Sequence, residues 1–523
     1  MSKKRRRKRS HGIEPSSYAR LLRRQTERPY WERLSQIFAV VLLSVFPLMV
    51  GESGYAEMTD EKFVYYKAIT LVYLACAALL WLLCLKDKPL YKARKEKCPQ
   101  KISITQAALL LYVLWGVICA LVSPQEDLWI GFRRNEGVLS MLLYAAIFLA
   151  LSLWGEYWDY LLPALSVMAV AEALLCFSQI WGSGILYPPG YTYYDLEFIG
   201  TLGNIDFVSG FIALMLPALV CGFILLETRF RHVMLAGAAL LLAVQAGIDV
   251  DSGKVGLIVS LLLSLPFLCS ERKHAARTLY ALAALLAADG VFRYLAPRSV
   301  LTASLKTPLF LLAALAFAAA GFFLSKKDGA FSLDPRTIRI AVAAFELAVV
   351  IGAIVYLFQY SGGNKLLWDA HEFLRGRLDD RAGSGRGLAW KATIRLMNDN
   401  PVFGCGPGGF AKGLDPYYDH IEVGKWIDAA HNEFLHIGAC TGYIGLAFYL
   451  IFVGSLAIRA LKNIVRCPLL LIFAAATAGY LAHSFFSFSL PNISPLFWAM
   501  AGLLEKLIHQ LPPEEASQPA QQP

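Results

Sequence analysis

Residues 40–50 read VVLLSVFPLMV and residues 240–248 read LLLAVQAGI, and neither stretch alternates apolar with polar side chains. A strand of an outer-membrane barrel alternates over segments of about 10 residues. A continuous apolar run instead calls for a helix, which satisfies its own backbone hydrogen bonds inside hydrocarbon. About 20 such residues cross a bilayer, and runs of this kind recur from residue 34 almost to the C-terminus. The 523-residue chain is 57% hydrophobic and 17% charged, with a mean hydropathy of +0.50. That is too apolar for a water-soluble domain of this length. The expected fold is all-α, a polytopic membrane protein of about 12–14 transmembrane helices. The spans fall near 34–50, 63–85, 102–122, 137–154, 160–182, 205–226, 232–249, 254–269, 276–295, 307–325, 337–360, 433–457, 467–487 and 492–508.

The net charge of +10 and the opening KKRRRKR at 3–9 could suit nucleic acid, but topology accounts for them better. With the N-terminus in the cytoplasm, KDKPLYKARKEK (86–97), TRFR (228–231), ERKHAAR (271–277), KKDG (326–329) with PRTIR (335–339), and RALKNIVR (459–466) all fall on the inner side. The short outer connections are nearly bare of Lys and Arg, which is the positive-inside asymmetry. Both termini are then cytoplasmic, in a bacterial cytoplasmic (inner) membrane. The basic head has no apolar core with a small-residue cleavage site, so it is read as a membrane-surface segment rather than a signal peptide. Ten cysteines lie mostly in helices or on the inner side, with only Cys405 well inside an outer loop, so no disulfide framework is expected. The absence of a CxxC spacing argues against zinc.

The chain divides into a basic cytoplasmic tail (1–33), helices one to eleven (34–360), a large extracytoplasmic loop (361–432), helices twelve to fourteen (433–510) and a polar cytoplasmic tail (511–523) expected to be disordered. A loop of the length of 361–432 in a compact membrane protein is either functional or disordered, and this one is not low-complexity. Trp368, Phe373, Trp390, Phe403, Phe410, Tyr417, Tyr418 and Trp426 give it enough apolar mass to pack on the membrane face. Trp390, Ile394 and Met397 recur at helical spacing until Asn398, Asn400 and Pro401 stop the helix. A second outer segment, 187–204, is rich in aromatic and turn residues.

Several residues could carry chemistry. Gly404, Gly406 and Gly409 match G-x-G-x-x-G, but a dinucleotide site needs a buried strand before that motif, and Asn-Asp-Asn-Pro precedes it here. A turn whose glycines allow close backbone approach fits better. Arg375, Arg377, Arg381 and Arg386 stand beside Glu372, Asp379 and Asp380. They read either as a solvated, mutually paired surface or as a grip for lipid-linked phosphate. His431 and Asn432 stand where the loop runs into helix twelve. There the helix dipole disfavours imidazolium and leaves a neutral ring able to take a proton from a hydroxyl, although a lone His is more often structural. Asp249 and Asp251 have D-x-D spacing, which suits a metal or simply a polar turn. Lys254, Arg133 and Arg134 are rare positive charges on outer connections and hint at an anionic ligand. Asp289 and Arg293, four apart, neutralise each other, whereas Glu172 has no evident partner.

SGRGLAW (384–390), NPVFGCGPGGF (400–410) and AAHNEFLHIGACTGYIGL (429–446), in that order, resemble the O-antigen ligase and polysaccharide polymerase family of bacterial membrane glycosyltransferases, with support from RNEG (134–137) and GTLGNIDF (200–207). The resemblance implies a GT-C-like, metal-independent enzyme without a cofactor. Such an enzyme moves a glycan from a polyprenyl-pyrophosphate carrier to a glycan, glycolipid or protein acceptor at the outer face of the membrane. It makes Arg386 the cation that stabilises the departing pyrophosphate. It makes His431 the group that deprotonates or orients the acceptor hydroxyl, with Asn432 positioning it. Arg134, Arg381, Trp390 and Lys254 are then substrate-binding candidates. Lys254 stands where the family often has the arginine of a Ser-Arg pair, and it lacks the bidentate fork.

A flippase for the same lipid-linked substrate would also have many helices, but it needs charges lining a midplane cavity open to both sides. The candidates here gather at one face. A purely structural scaffold gives the loop arginines and His431 no role. Ligase and polymerase share donor chemistry, and the sequence does not separate them.

Overall fold

The computed structural model describes residues 30–55, 57–86, 101–155, 157–181, 199–296, 307–326, 331–377, 379–380, 382–420 and 427–511. The basic head up to residue 29, most of the aromatic segment 187–204, Arg381, Trp426 and the tail from 512 onward lie outside the described residues.

Each of the fourteen apolar runs falls on a helix. α1 (Tyr30–Val40) continues through a π turn and a 3-10 turn to Leu48, where Pro47 withdraws an amide donor. Then follow α2 (Met58–Lys86), α3 (Ile104–Val122), α4 (Val138–Trp154), α5 (Leu161–Ile180), α6 (Ile205–Leu225), α7 (Arg231–Ile248), α8 (Asp251–Leu268), α9 (Arg272–Leu295), α10 (Thr307–Lys326) and α11 (Pro335–Phe358). The long connection holds α12 (Lys365–Leu374), α13 (Ala382–Asp399) and the short α14 (Phe410–Leu414), and the chain closes with α15 (Glu433–Asn463), α16 (Leu470–Ser484) and α17 (Ser494–His509). Among the described residues, eleven helices are long and apolar enough to cross a membrane, and α4 and α16 are shorter apolar helices. α2, α8 and α9 begin three to five residues earlier than the hydropathy suggests, because their polar first turns are helical as well, and α15 runs six residues past 457.

Local chemistry sets several of these ends. Ser103 and Gln106 form a reciprocal capping box that starts α3. Asp334 caps α11, with Pro335 in the first helical position. Asn204 caps α6. α6 is buried along nearly its whole length, walled by α7, α8 and α16, and α17 lies against α4 and α16. Small residues permit close crossings: a Cβ on Gly256 of α8 would stand 2.5 Å from the Gly479 carbonyl oxygen of α16. α11 is the opposite case, with no buried residue, so its apolar surface is left to lipid.

Buried charges find partners. Glu172 accepts from the Thr201 amide at 2.9 Å and lies 2.5 Å from the Thr201 hydroxyl, so its partner is the turn before α6 rather than another charge on its own helix. The Lys62 ammonium donates to the Phe46 and Pro47 carbonyls left open at the end of α1, at 3.2 and 2.6 Å. Arg293 donates to Asp289 at 2.9 Å, as the four-residue spacing suggests.

α15 is broken at Gly442, whose φ of 67° and ψ of −179° are open only to glycine. The break frees carbonyls from the helical ladder, and the NPVFGCGPGGF turn answers them. The Cys405 amide donates to Ala439 O and the Gly406 amide to Cys440 O, both at 2.9 Å, and the Trp115 indole donates to Thr441 O at 2.9 Å. In return the Tyr443 amide donates to Pro401 O at 2.8 Å. Here the glycines serve backbone approach, with no strand before them: a Cβ on Gly404 would stand 2.4 Å from Ala439 O.

Candidate functional site

Four segments at one end of the bundle, together with the α16–α17 connection, converge on His431. The first is GFRRNEG between α3 and α4, a tight turn with left-handed Arg133 and Asn135. The Gly137 amide closes it onto Ile130 O at 2.8 Å, and the Asn135 amide group ties it to Asp60 of α2 at 2.5 Å. Its backbone also meets the glycine turn, the Phe132 amide donating to Gly408 O. This folding sends Arg134 across to Asp428, to which Nε and Nη2 both donate, at 2.9 and 2.6 Å.

The second is the end of the long connection. Ala429 and Ala430 are fully buried, His431 takes a left-handed φ of 49°, and Asn432 caps α15 by accepting from the Leu435 amide at 3.0 Å. A non-glycine residue held there marks a position that its surroundings over-determine. The His431 ring meets Phe488 edge-on at 5.0 Å, while the Arg134 guanidinium lies 4.7 Å over the same phenyl ring. Phe488, from the α16–α17 connection, thus spaces the imidazole from the guanidinium.

The third is the start of α13, where Gly383 and Gly385 are left-handed and Gly387 passes so close to Asp379 that a Cβ would meet its carbonyl oxygen at 1.9 Å. That tight path fixes Arg386. Its Nε donates to Phe486 O at 3.1 Å and its Nη1 to Gly383 O at 3.2 Å. Its Nη2 lies 3.9 Å from Asp206 of α6, too long for a strong hydrogen bond. Asp206 follows the GTLGN turn, which is the fourth segment.

Burial, with the fixed charges of Arg386 and Arg134 behind it, lowers the His431 imidazole to about 4, against the opposing pull of Asp428. The ring is neutral at pH 7 and able to accept a proton. Glu136, at the foot of the GFRRNEG turn, is pushed up to about 8 by burial, opposed by a 2.5 Å hydrogen bond from the Tyr144 hydroxyl. It lines a cavity of about 70 Å³ with Glu433, His436, Tyr449 and Ser489, room for a few waters.

The structure therefore brings Arg134, Arg386 and His431 together and gives Lys254, Trp390 and Asn432 other engagements, while Arg381 lies outside the described residues. Lys254 is held by Asp249 at 2.6 Å and Asp251 at 2.8 Å, so the D-x-D pair closes on a lysine and that lysine's charge is already matched. Trp390 is buried among Phe373, Phe485 and Phe486, as a packing post for the loop. The Asn432 side-chain oxygen is engaged as a helix cap. Arg375 donates to Phe358 O at the end of α11, apart from the other arginines. Asp206, Asp428, Phe486 and Phe488 were not singled out from the sequence. Asp206 sits inside GTLGNIDF and Asp428 three residues before His431, whereas nothing in the run FFSFSLPN announces that its backbone and a phenyl ring reach the site.

No curated protein matches the chain. Residues 299–450, which take in α10, α11, the whole of the long connection and the first half of α15, match the family model described as O-antigen ligase, and over this stretch the chain is O-antigen ligase-like.

Proposed function

We propose that this protein transfers or polymerises a glycan from a polyprenyl-pyrophosphate carrier onto an acceptor hydroxyl at the outer face of the cytoplasmic membrane. The observation that carries the reading is the meeting of Arg134 and Arg386 around a neutral His431, drawn from segments far apart in the chain. The acceptor oxygen attacks the anomeric carbon as the bond from that carbon to the pyrophosphate oxygen breaks, and the diphosphate leaves on its lipid. The proton lost by the acceptor passes to the His431 ring. Arg386 Nη2 and the charge of the Arg134 guanidinium, held in place by Asp428, meet the negative charge that develops on the leaving group.

The same cations that keep His431 a weak base are the ones that a pyrophosphate neutralises. Donor binding thus raises the basicity of His431 at the moment a base is needed. We assign Arg381 as a secondary contact to the diphosphate, and Trp390 and Asn432 as groups that hold the loop and the helix end around it; Lys254, held by Asp249 and Asp251, is left out of the site. The segregation of Lys and Arg supports an orientation with both termini in the cytoplasm and the long connection outside.

The test is transfer from lipid-linked oligosaccharide to candidate acceptors by the purified protein. His431→Ala is expected to lower the rate about 10²–10⁴-fold, and Arg386→Ala about 10²–10³-fold. Unchanged transfer in both variants refutes the assignment.

A further inference from the structure

Three cysteines meet beneath the glycine turn: Cys119 of α3, Cys405 of the turn itself and Cys440, two residues before the break in α15. All are buried thiols, and the Cys119 thiol points to Thr441 O at 3.8 Å. The turn and the broken helix run side by side in step, the Cys405 amide on Ala439 O and the Gly406 amide on Cys440 O. Two consecutive backbone contacts of 2.9 Å make Cys405 and Cys440 neighbours, as a disulfide, which spans roughly 4.4–6.8 Å between Cα atoms, requires. The Cys405 and Cys440 side chains lie in one buried cluster. The proposed glycosyl transfer uses neither.

We propose that Cys405 and Cys440 are joined by a disulfide in the working protein, stapling the glycine turn to the helix that begins at His431. The inference rests on the outer-face reading above, because thiol pairs persist reduced in the cytosol and are oxidised outside it. The oxidant is a protein disulfide of the extracytoplasmic space. One thiolate of the pair attacks it to give a mixed disulfide, and the second thiolate then displaces the oxidant. The oxidant leaves as a dithiol, which takes away the two electrons and, by way of water, the two thiol protons. The bond forms as the turn docks, before both sulfurs are covered. Cys119 stays reduced.

The test is to quench cells in acid, alkylate all thiols with a maleimide in denaturant, purify the full-length protein without reductant, digest it and read the peptides by mass. The expected result is a 405–440 linked peptide, two hydrogens lighter than the sum of its parts, with Cys119 alkylated. Alkylation of both Cys405 and Cys440, or a bond from Cys119 to either, overturns the proposal. In a separate sample, labelling of Gly363→Cys by a membrane-impermeant maleimide reports which side the long connection faces. Gly363 is exposed, with open space around it. Free thiols with outside labelling sink the disulfide alone, and free thiols with labelling only after lysis sink the outer-face reading as well. A linked pair supports the disulfide whichever side is labelled.

Discussion

Arg134 and Asp428, 294 residues apart in the chain, meet through two hydrogen bonds to one carboxylate oxygen, and that contact joins the α3–α4 turn to the residue three before His431. A lysine at 134 keeps the charge but offers no fork. Arg134→Lys is expected to lose about 10-fold or more in kcat/KM for the lipid-linked donor, roughly the loss of one charge-assisted hydrogen bond. Activity within twofold of wild type would dissociate this contact from catalysis.

His431 gives a signed pH dependence. Its folded value, about 4, lies below the ordinary 6.5, so the unfolded chain binds a proton between the two that the folded chain refuses. The stability associated with the neutral ring is complete above 6.5 and is lost as pH falls toward 4. Thermal midpoints measured from pH 7 to 4 should therefore drop less steeply in His431→Gln than in wild type. Asp428→Asn removes the one charge that lifts His431 and is expected to move the acid limb of kcat/KM to still lower pH.

Glu136 works in the other direction. Its carboxyl, raised to about 8 from 4.5, stays protonated while the unfolded chain ionises, so its contribution is complete below 4.5 and disappears as pH rises through 8. Glu136→Gln copies the protonated acid. Its midpoint should equal that of wild type at pH 5 and exceed it at pH 9, and a variant less stable at both would contradict this.

Gly442→Ala asks an alanine to adopt φ 67°, ψ −179° with its Cβ 2.0 Å from Val402 O. Backbone strain of this kind costs about 1–3 kcal/mol before the clash is counted, so the expected outcome is a lower thermal midpoint and poor yield in detergent. Gly454→Ala in the same helix has open space around its Cβ. It should be neutral or slightly stabilising, by less than about 1 kcal/mol, and equal damage from both would locate the fault in the helix rather than in the break.

Lys254→Met separates the two readings of the D-x-D turn. With its charge already matched by Asp249 and Asp251, the lysine is expected to change donor KM by less than about threefold, since an exposed ion pair contributes roughly 0–1 kcal/mol. A tenfold rise in KM would mean that the lysine leaves its aspartates for the diphosphate.

Hydropathy disclosed the helices because each crossing is paid for locally, residue by residue, by the same apolar run that fills it. His431 and Arg386 were legible for a related reason, since glycines and alanines around them leave a pattern in the one-dimensional string. Phe488 and Asp206 were not, because their place depends on how α16, α17 and α6 cross, and crossing is set by side-chain fit that no single segment contains. Glu172 shows the same limit from within the bundle. Its partner is a backbone amide, and every residue has one of those. The GCGPGG string was readable as a turn, but the broken helix it serves is announced only by Gly442, one glycine among several in a run that otherwise reads as unbroken.

The answered carbonyls at that break have a mechanical consequence. Lifting the turn away would strand Ala439 O and Cys440 O without donors in an oily surrounding, at a cost of several kcal/mol, so the turn is a fixed part of the broken helix rather than a hatch. For the lipid-linked donor proposed above, that leaves entry sideways, within the plane of the bilayer, the plane to which α11 presents an apolar flank with no buried residue.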